Sequence, residues 1–520
     1  MKYRTMARGG AACLSVVMLA TLLVMVVPAT AGACGYSQWY LPEGYTGGNF
    51  DTYILIQNPN DCMAKVGVTF MTDESVTNPR LYKIEPLSRF TIAVDEIPGL
   101  EDANVSTIVE QLEGSGIVVE RAMYFKYEGG KAGGSDSIGA NQTSTRWYLA
   151  EGYTGGDFDT YILVMNPTER KAHIKARFIT PPKEGAGGNT EPNYIVREYD
   201  VEAMRRLTIH VDEISGLEDT DVSTEIISEA GGTGEESAPG VVAERAMYFS
   251  YFGIDGGHCS IGAPAASNLW YLPEGRTAGE YDTYVLVMNP NSTRTHVKAT
   301  FMVPSNGAGG GREMKPHEPD PAPDPEPNKV ITKEFVLEPL ERYTIEVDKL
   351  EGLEATDVAT QIESWAETGS GISNESSPVV VERAMYFVRG NDGDGHNTIG
   401  STMKREYWLM AEGYTAGGFD TWILIMNPNE PPVKVRVTFM KPEGDPMVKD
   451  YEILGKSRLT VPVDEIEGLE ATEVSAKIQV LGTVTGRAAA CEYGIIAERA
   501  MYFEYNGIVG GHCSIGVGEY

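Results

Sequence analysis

The chain is poor in the residues that most often carry chemistry. It has seven histidines in 520 residues. No G-x-S-x-G elbow, P-loop or H-E-x-x-H occurs, which removes the commonest signatures of serine hydrolases, nucleotide-binding enzymes and zinc proteases. Basic residues are scarce too, at 42 against 74 acidic ones. A surface that negative repels phosphate backbones, so nucleic acid is not an expected partner. Long apolar runs are confined to one place. Lys2, Arg4 and Arg8 precede an apolar stretch from Ala11 to Pro28, and Ala31-Gly32-Ala33 follows as an A-x-A cleavage site. This order predicts a secretory signal peptide over 1–33, with an uncleaved anchor as the alternative. No second run is long enough to span a membrane. Loss of the segment leaves 39 bases against 74 acids, a formal charge of −35.

Cysteine is also sparse. Cys34, Cys62, Cys259, Cys491 and Cys513 remain after cleavage. Cys34 would be the first mature residue and a place for a lipid, although Ala31 stands where a lipidation signal usually has Leu. An exported chain meets oxidising conditions, so disulfides are allowed. Cys491 and Cys513 flank one strand-like segment and are the candidate pair. His258-Cys259 and His512-Cys513 are adjacent pairs, but neither has a second pair nearby in the sequence to complete a zinc site.

What the chain has in abundance is itself. "ERAMYF" stands at Glu120–Phe125, Glu244–Phe249, Glu382–Phe387 and Glu498–Phe503. "DTYILIQNP" at Asp51 returns at Asp159, Asp282 and Asp420 in close variants, and "VDEIPGLE" at Val94 returns at Val211, Val347 and Val463. A Trp and an E-G pair open each unit, at Trp39/Glu43, Trp147/Glu151, Trp270/Glu274 and Trp408/Glu412. Ser-Ile-Gly closes three units, and Thr398-Ile399-Gly400 closes the third. The openings lie about 108, 123 and 138 residues apart. Solenoid repeats are far shorter, whereas a unit of this size can bury its own core. The expectation is four tandem domains over 34–140, 141–263, 264–400 and 401–520. The short links between them predict a semi-rigid rod. The Pro-, Gly- and acid-rich insertion 305–329 reads as a disordered or extended loop.

Within a unit the segments are brief, rich in Val, Ile, Thr, Tyr and Phe, and separated by turn formers. In repeat 1 they fall near 39–41, 52–57, 64–71, 81–85, 90–94, 105–111, 117–127 and 137–140. The alternation in "KVGVTF" puts Val66, Val68 and Phe70 on one face. This pattern predicts an all-β chain of antiparallel, immunoglobulin-like sandwiches, with a barrel as the second choice.

The motifs "WYLAEGYTGGDFDTYILVMNP", "RLTIHVDEISGL", "DVST" and "VVAERAMYF…GGHCSIG" resemble a largely uncharacterised tandem domain of secreted and surface proteins of bacteria, notably actinobacteria. The resemblance spans nearly all of 39–518. It implies export and a β-rich fold and brings no activity. Members of that family usually carry Asp where this chain has Cys259 and Cys513.

Five charges recur in every unit. In repeat 1 they are Glu43, Asp51, Arg89, Glu120 and Arg121. One reading makes the carboxylates a site for acid–base work or sugar binding. The other makes them an ion-pair network that fixes strand register, in which Glu120 or Arg121 pairs with Arg89 or Asp51. The second is preferred, because four identical catalytic units in one chain would be unusual. Tyr45 and Tyr153 lie in Gly-rich turns, with Arg276 and Tyr414 at the same place in the other repeats. They offer rings for stacking on sugars. The acidic turn 391–396 offers oxygen ligands for calcium; no other cofactor is expected. The expected role is that of a secreted or cell-surface protein, not an enzyme. It would act as a structural, adhesive or interaction module whose partner is a cell-wall or extracellular glycan or another surface protein. A multivalent glycan binder is the alternative, and an enzyme of unknown class comes third.

Overall fold

The computed structural model describes residues 36–184, 190–230, 237–251, 253–304, 311–313, 328–368, 371–372, 375–390, 392–483 and 493–519. The signal segment, Cys34 and Cys491 lie outside them, as does most of the 305–329 insertion. Among the described residues the chain is all-β, with antiparallel pairing throughout and no α-helix; one-turn 3₁₀ segments occur at Glu128–Gly130 and Val347–Lys349. No helix of the described residues is long and apolar enough to cross a membrane.

Repeat 1 supplies eight strands: β1 (Gln38–Leu41), β2 (Phe50–Asn58), β3 (Ala64–Thr72), β4 (Arg80–Ile84), β5 (Ser88–Ala93), β6 (Val105–Glu113), β7 (Val118–Lys126) and β8 (Ala132–Ile138). One sheet has the order β1-β6-β3-β4 and the other β5-β2-β7-β8. The other three repeats follow the same two orders, with short additions to one sheet in each of repeats 3 and 4. One addition crosses between repeats. Gly311–Glu313, from the insertion of repeat 3, pairs with Tyr451–Ile453 of repeat 4.

Alternation explains the outer sheets. In β3, Val66, Val68 and Phe70 are fully buried, with Lys65 and Thr69 on the half-exposed side. The ERAMYF strands break this rule. All eight residues from Val118 to Phe125 are buried, on both faces, and the same holds in every repeat. A strand buried on both faces needs a second layer against it, and here that layer is the neighbouring repeats.

Cys34–Tyr520 forms one compact unit. The strand that follows ERAMYF in each repeat is β8, Ile254–Ile261, Asp392–Ile399 or Ile508–Ile515. Each packs against the equivalent strands of two neighbours, and the fourth returns to the first. The repeats therefore close into a ring about a pseudo-fourfold axis, and the rod expected from the short links is not formed. These axial strands also start earlier than the sequence suggests. β8 begins at Ala132, ahead of the expected strand at 137–140, so Gly133 and Gly134 lie within a strand.

Candidate functional site

Side chains alternate along β7, so Glu120 and Arg121 point to opposite faces. Each face meets a different repeat. On one, Glu120 Oε2 accepts from Arg499 Nη2 of repeat 4 at 3.0 Å, and Tyr124 packs edge-on against Phe503. On the other, Arg121 Nη1 donates to Glu244 Oε1 of repeat 2 at 2.9 Å, and Phe125 packs edge-on against Tyr248. The relation then repeats around the ring. Arg245 reaches Glu382 at 2.7 Å, and Arg383 reaches Glu498 at 2.8 Å. Four arginines and four glutamates, none more than 1 % exposed, thus close a cycle in which each repeat holds the next.

The opening glutamates complete it. Glu151, Glu274 and Glu412 bind the arginine of their own repeat, at 2.7, 2.6 and 2.8 Å. In repeat 1, Glu43 instead lies 3.7 Å from Arg206 of repeat 2, and its backbone N–H donates to Glu244. Burial alone pulls the Arg121 guanidinium down, but Glu244, Cys259 and Glu43 together hold it above its ordinary value. Burial pushes Glu151 and Glu498 up to about 7 against the pull of Arg245 and Arg383.

One expectation from the sequence is corrected here. Glu120 and Arg121 pair with neither Arg89 nor Asp51. Arg89 crosses to repeat 4, where it donates to the Gly413 carbonyl at 2.6 Å and lies 3.4 Å from Glu473. Its counterparts do the same. Arg206 grips the Pro42 and Gly44 carbonyls, Arg342 the Gly152 carbonyl, and Arg458 the Gly275 carbonyl, each on the preceding repeat. Asp51 makes no ion pair among the described residues; it is half-buried, and burial and Asp95 raise its carboxyl. Cys513 is a free, buried thiol that accepts from Arg383 at 2.9 Å; Cys491, its expected partner, lies outside the described residues.

Two buried clusters have the composition of metal sites: Glu274, His396 and Cys513, and Asp136, Glu412 and His512. A guanidinium already sits in each. Arg383 contacts Glu274 and Cys513, and Arg499 contacts Asp136 and Glu412. The arginines supply the positive charge that a cation would bring. The histidines stay neutral, with His396 lowered to about 3 and His258 and His512 held well below the ordinary value by burial. Burial pushes the Cys259 thiol up to about 12. Neutral imidazoles and protonated thiols suit packing better than proton transfer or attack.

The calcium reading of 391–396 also changes. Asp392–Ile399 is a strand, and Asp394 is fully buried on the axis. Its carboxylate accepts from four backbone N–H groups, one in each repeat: Gly134, Gly257, Gly395 and Gly511, at 3.3, 3.1, 2.8 and 3.1 Å. Oxygens turned toward four donors are not placed to ligate a cation. Asp394 was not singled out from the sequence. Its signal was there, as the one acidic departure from glycine at the aligned positions Gly133, Gly256 and Gly510.

The turn aromatics fold back on their own turns. Tyr45 packs on Phe50, Tyr153 on Phe158 and Tyr414 on Phe419, each with ring centroids 5.0 Å apart. Arg276 replaces that contact with a cation–π contact to Tyr281. Tyr45 and Tyr153 also line equivalent clefts between successive repeats. The first, of about 160 Å³, lies between repeats 1 and 2 and includes Tyr127, Tyr161 and Arg206. The second, of about 350 Å³, lies between repeats 2 and 3 and includes Tyr251, Tyr284 and Arg342. A wider mouth of about 460 Å³ opens on the axis beside the four opening tryptophans.

No family profile matches the chain, and no curated protein is similar to it by sequence. Among solved structures, it is similar to the crystal structure of Thermotoga maritima 1070, with 18 % identity and a TM-score of 0.18, over 20 % of this chain and 94 % of that one. It is also similar to the Anabaena sensory rhodopsin transducer, with 18 % identity and a TM-score of 0.16, over 19 % of this chain and 93 % of that one.

Proposed function

We propose that this is an exported, non-catalytic scaffold that acts at the cell surface as a structural, adhesive or interaction module. In this reading 1–33 is a signal peptide. Repeats 34–140, 141–263, 264–400 and 401–520 are each an immunoglobulin-like sandwich made of the two sheets described above. The carrying observation is the Arg–Glu cycle. The Arg and Glu that ERAMYF carries in all four repeats are spent on joining repeats, buried inside the protein. What remains outside is an acidic surface presented four times around one axis, suited to contact with a cell-wall or extracellular partner. The test is localisation with binding. The protein should be recovered outside the cytoplasm without residues 1–33, and the purified mature chain should bind isolated cell envelopes. Recovery from the cytoplasm with an intact Met1, or no binding to envelopes, would refute the proposal.

The inter-repeat clefts favour one second reading, a multivalent glycan binder. Rings of Tyr127, Tyr161 and Tyr45 beside Arg206 offer the stacking and hydrogen bonding that sugars use, and similar clefts on one body would act through avidity. A glycan array on the mature chain, repeated with Tyr45→Ala and Tyr153→Ala, separates the readings. Saturable binding that falls with those substitutions supports the glycan reading.

A further inference from the structure

The axis itself carries a second arrangement that the charge cycle does not use. Four peptide N–H groups, one per repeat, converge on one buried point. Only one of the four aligned positions has a side chain there. A Cβ built on Gly133, Gly256 or Gly510 would lie 2.6, 1.9 or 2.5 Å from the Asp394 carboxylate. One carboxylate therefore fills the space that three glycines leave open. Asp394 has no ion-pair partner among the described residues. Burial drives its carboxyl up, and only the four backbone donors offset that cost. Four donors and two oxygens, with each oxygen taking two N–H groups, is the pattern of an anion-binding nest.

We infer that the axis is a built anion site which the chain occupies with its own Asp394, and that this occupancy holds the four axial strands together. The site's chemistry selects a small monovalent anion, a carboxylate of formate size or a halide. The space is set by three glycines, and the donors are peptide N–H groups with no fixed cation. A tetrahedral dianion such as sulfate is too large and too highly charged for it.

The experiment uses the full mature chain with Asp394→Gly, which places at 394 the residue that the other three repeats carry. Thermal unfolding is followed in a buffer of large organic anions, then with rising formate or chloride, and with sulfate as the control. Asp394→Gly should unfold at a lower temperature than the parent. Formate should restore it along a saturating curve, as binding to the folded state requires, by at least ~3 °C more than in the parent. Sulfate should act equally on both proteins. Asp394→Asn is the second variant. Its amide fills the space but points N–H at N–H, so it should be destabilised and should gain nothing from formate. If Asp394→Gly does not fold in the starting buffer, the readout is refolding, and recovery in formate but not sulfate supports the site. Equal responses of parent and Asp394→Gly, failure to refold in any small anion, or a parent-like Asp394→Asn would each overturn it.

Discussion

Replacing Arg121 with Met removes the only guanidinium bonded to Glu244 among the described residues, while keeping most of the side chain's length. Arg121 is 0 % exposed and Glu244 is 1 % exposed. A buried carboxylate left without its cation costs roughly 3–5 kcal/mol, because the penalty of desolvation stays while the attraction is lost. Glu244→Gln should cost a similar amount for the opposite reason; it keeps an oxygen for the Glu43 N–H, which now donates to Glu244 at 3.1 Å. The double variant has no unpaired charge, so its cost should fall short of the sum by about 0.5–3 kcal/mol, the range for residues in direct contact. Arg121→Met combined with Asp51→Asn is the control. Those residues share no partner among the described contacts, and their effects should add to within about 0.5 kcal/mol. Urea unfolding followed by the fluorescence of the buried tryptophans measures all four variants. Additive effects for Arg121 and Glu244, or single costs below about 1 kcal/mol, would mean that the pair is screened by solvent and would refute the buried cycle.

Gly256→Ala should destabilise the chain strongly, since its Cβ would fall 1.9 Å from the Asp394 carboxylate; the same change with Asp394→Gly should cost less, and equal costs would argue against the axial contact. His396 is held down to about 3, so on acidification the unfolded chain takes up the proton first. Its contribution to stability is therefore present above pH 6.5 and is lost between about 6.5 and 3, at about 1.4 kcal/mol per pH unit at most. His396→Ser, which installs the residue of repeat 1, should flatten the acid limb of a pH–stability curve; an unchanged slope would contradict a buried neutral imidazole. Glu151 and Glu498, raised to about 7, act in the opposite sense and lose their contribution as pH rises from about 4.5 through 7. Native labelling with a thiol reagent should modify the half-exposed Cys62 and spare Cys259 and Cys513 until the protein unfolds; early reaction of Cys259 would refute its packing.

Much of the local structure was legible in the sequence because local rules decide it. The alternation at Val66, Val68 and Phe70 produced a half-buried strand, and the turn formers at Gly47–Asn49 and Asn58–Asp61 mark its neighbours' ends. What was not legible was which copy of a motif meets which. Glu120 and Arg499 are 379 residues apart, and since Arg121 is identical in context to Arg499, recurrence alone fits pairing within a repeat as well as between repeats. The complete burial of ERAMYF was readable as apolar content but not as contact with two different neighbours. Gly133 and Gly134 fell outside the expected strand at 137–140 for a physical reason. Glycine usually weakens a strand, but here it permits close approach, one residue facing the Asp394 carboxylate and the next the Phe503 ring, 2.6 Å from where a Cβ would lie.

Small-angle X-ray scattering on the mature chain tests closure of the ring most directly. A single compact body of 34–520 has a radius of gyration of about 23 Å, whereas four globules of this size joined end to end give roughly 40 Å. Closure predicts a value near the first with a single-peaked distance distribution. A value near the second would place repeat 1 away from repeat 4 and contradict the Glu120–Arg499 contact that completes the cycle.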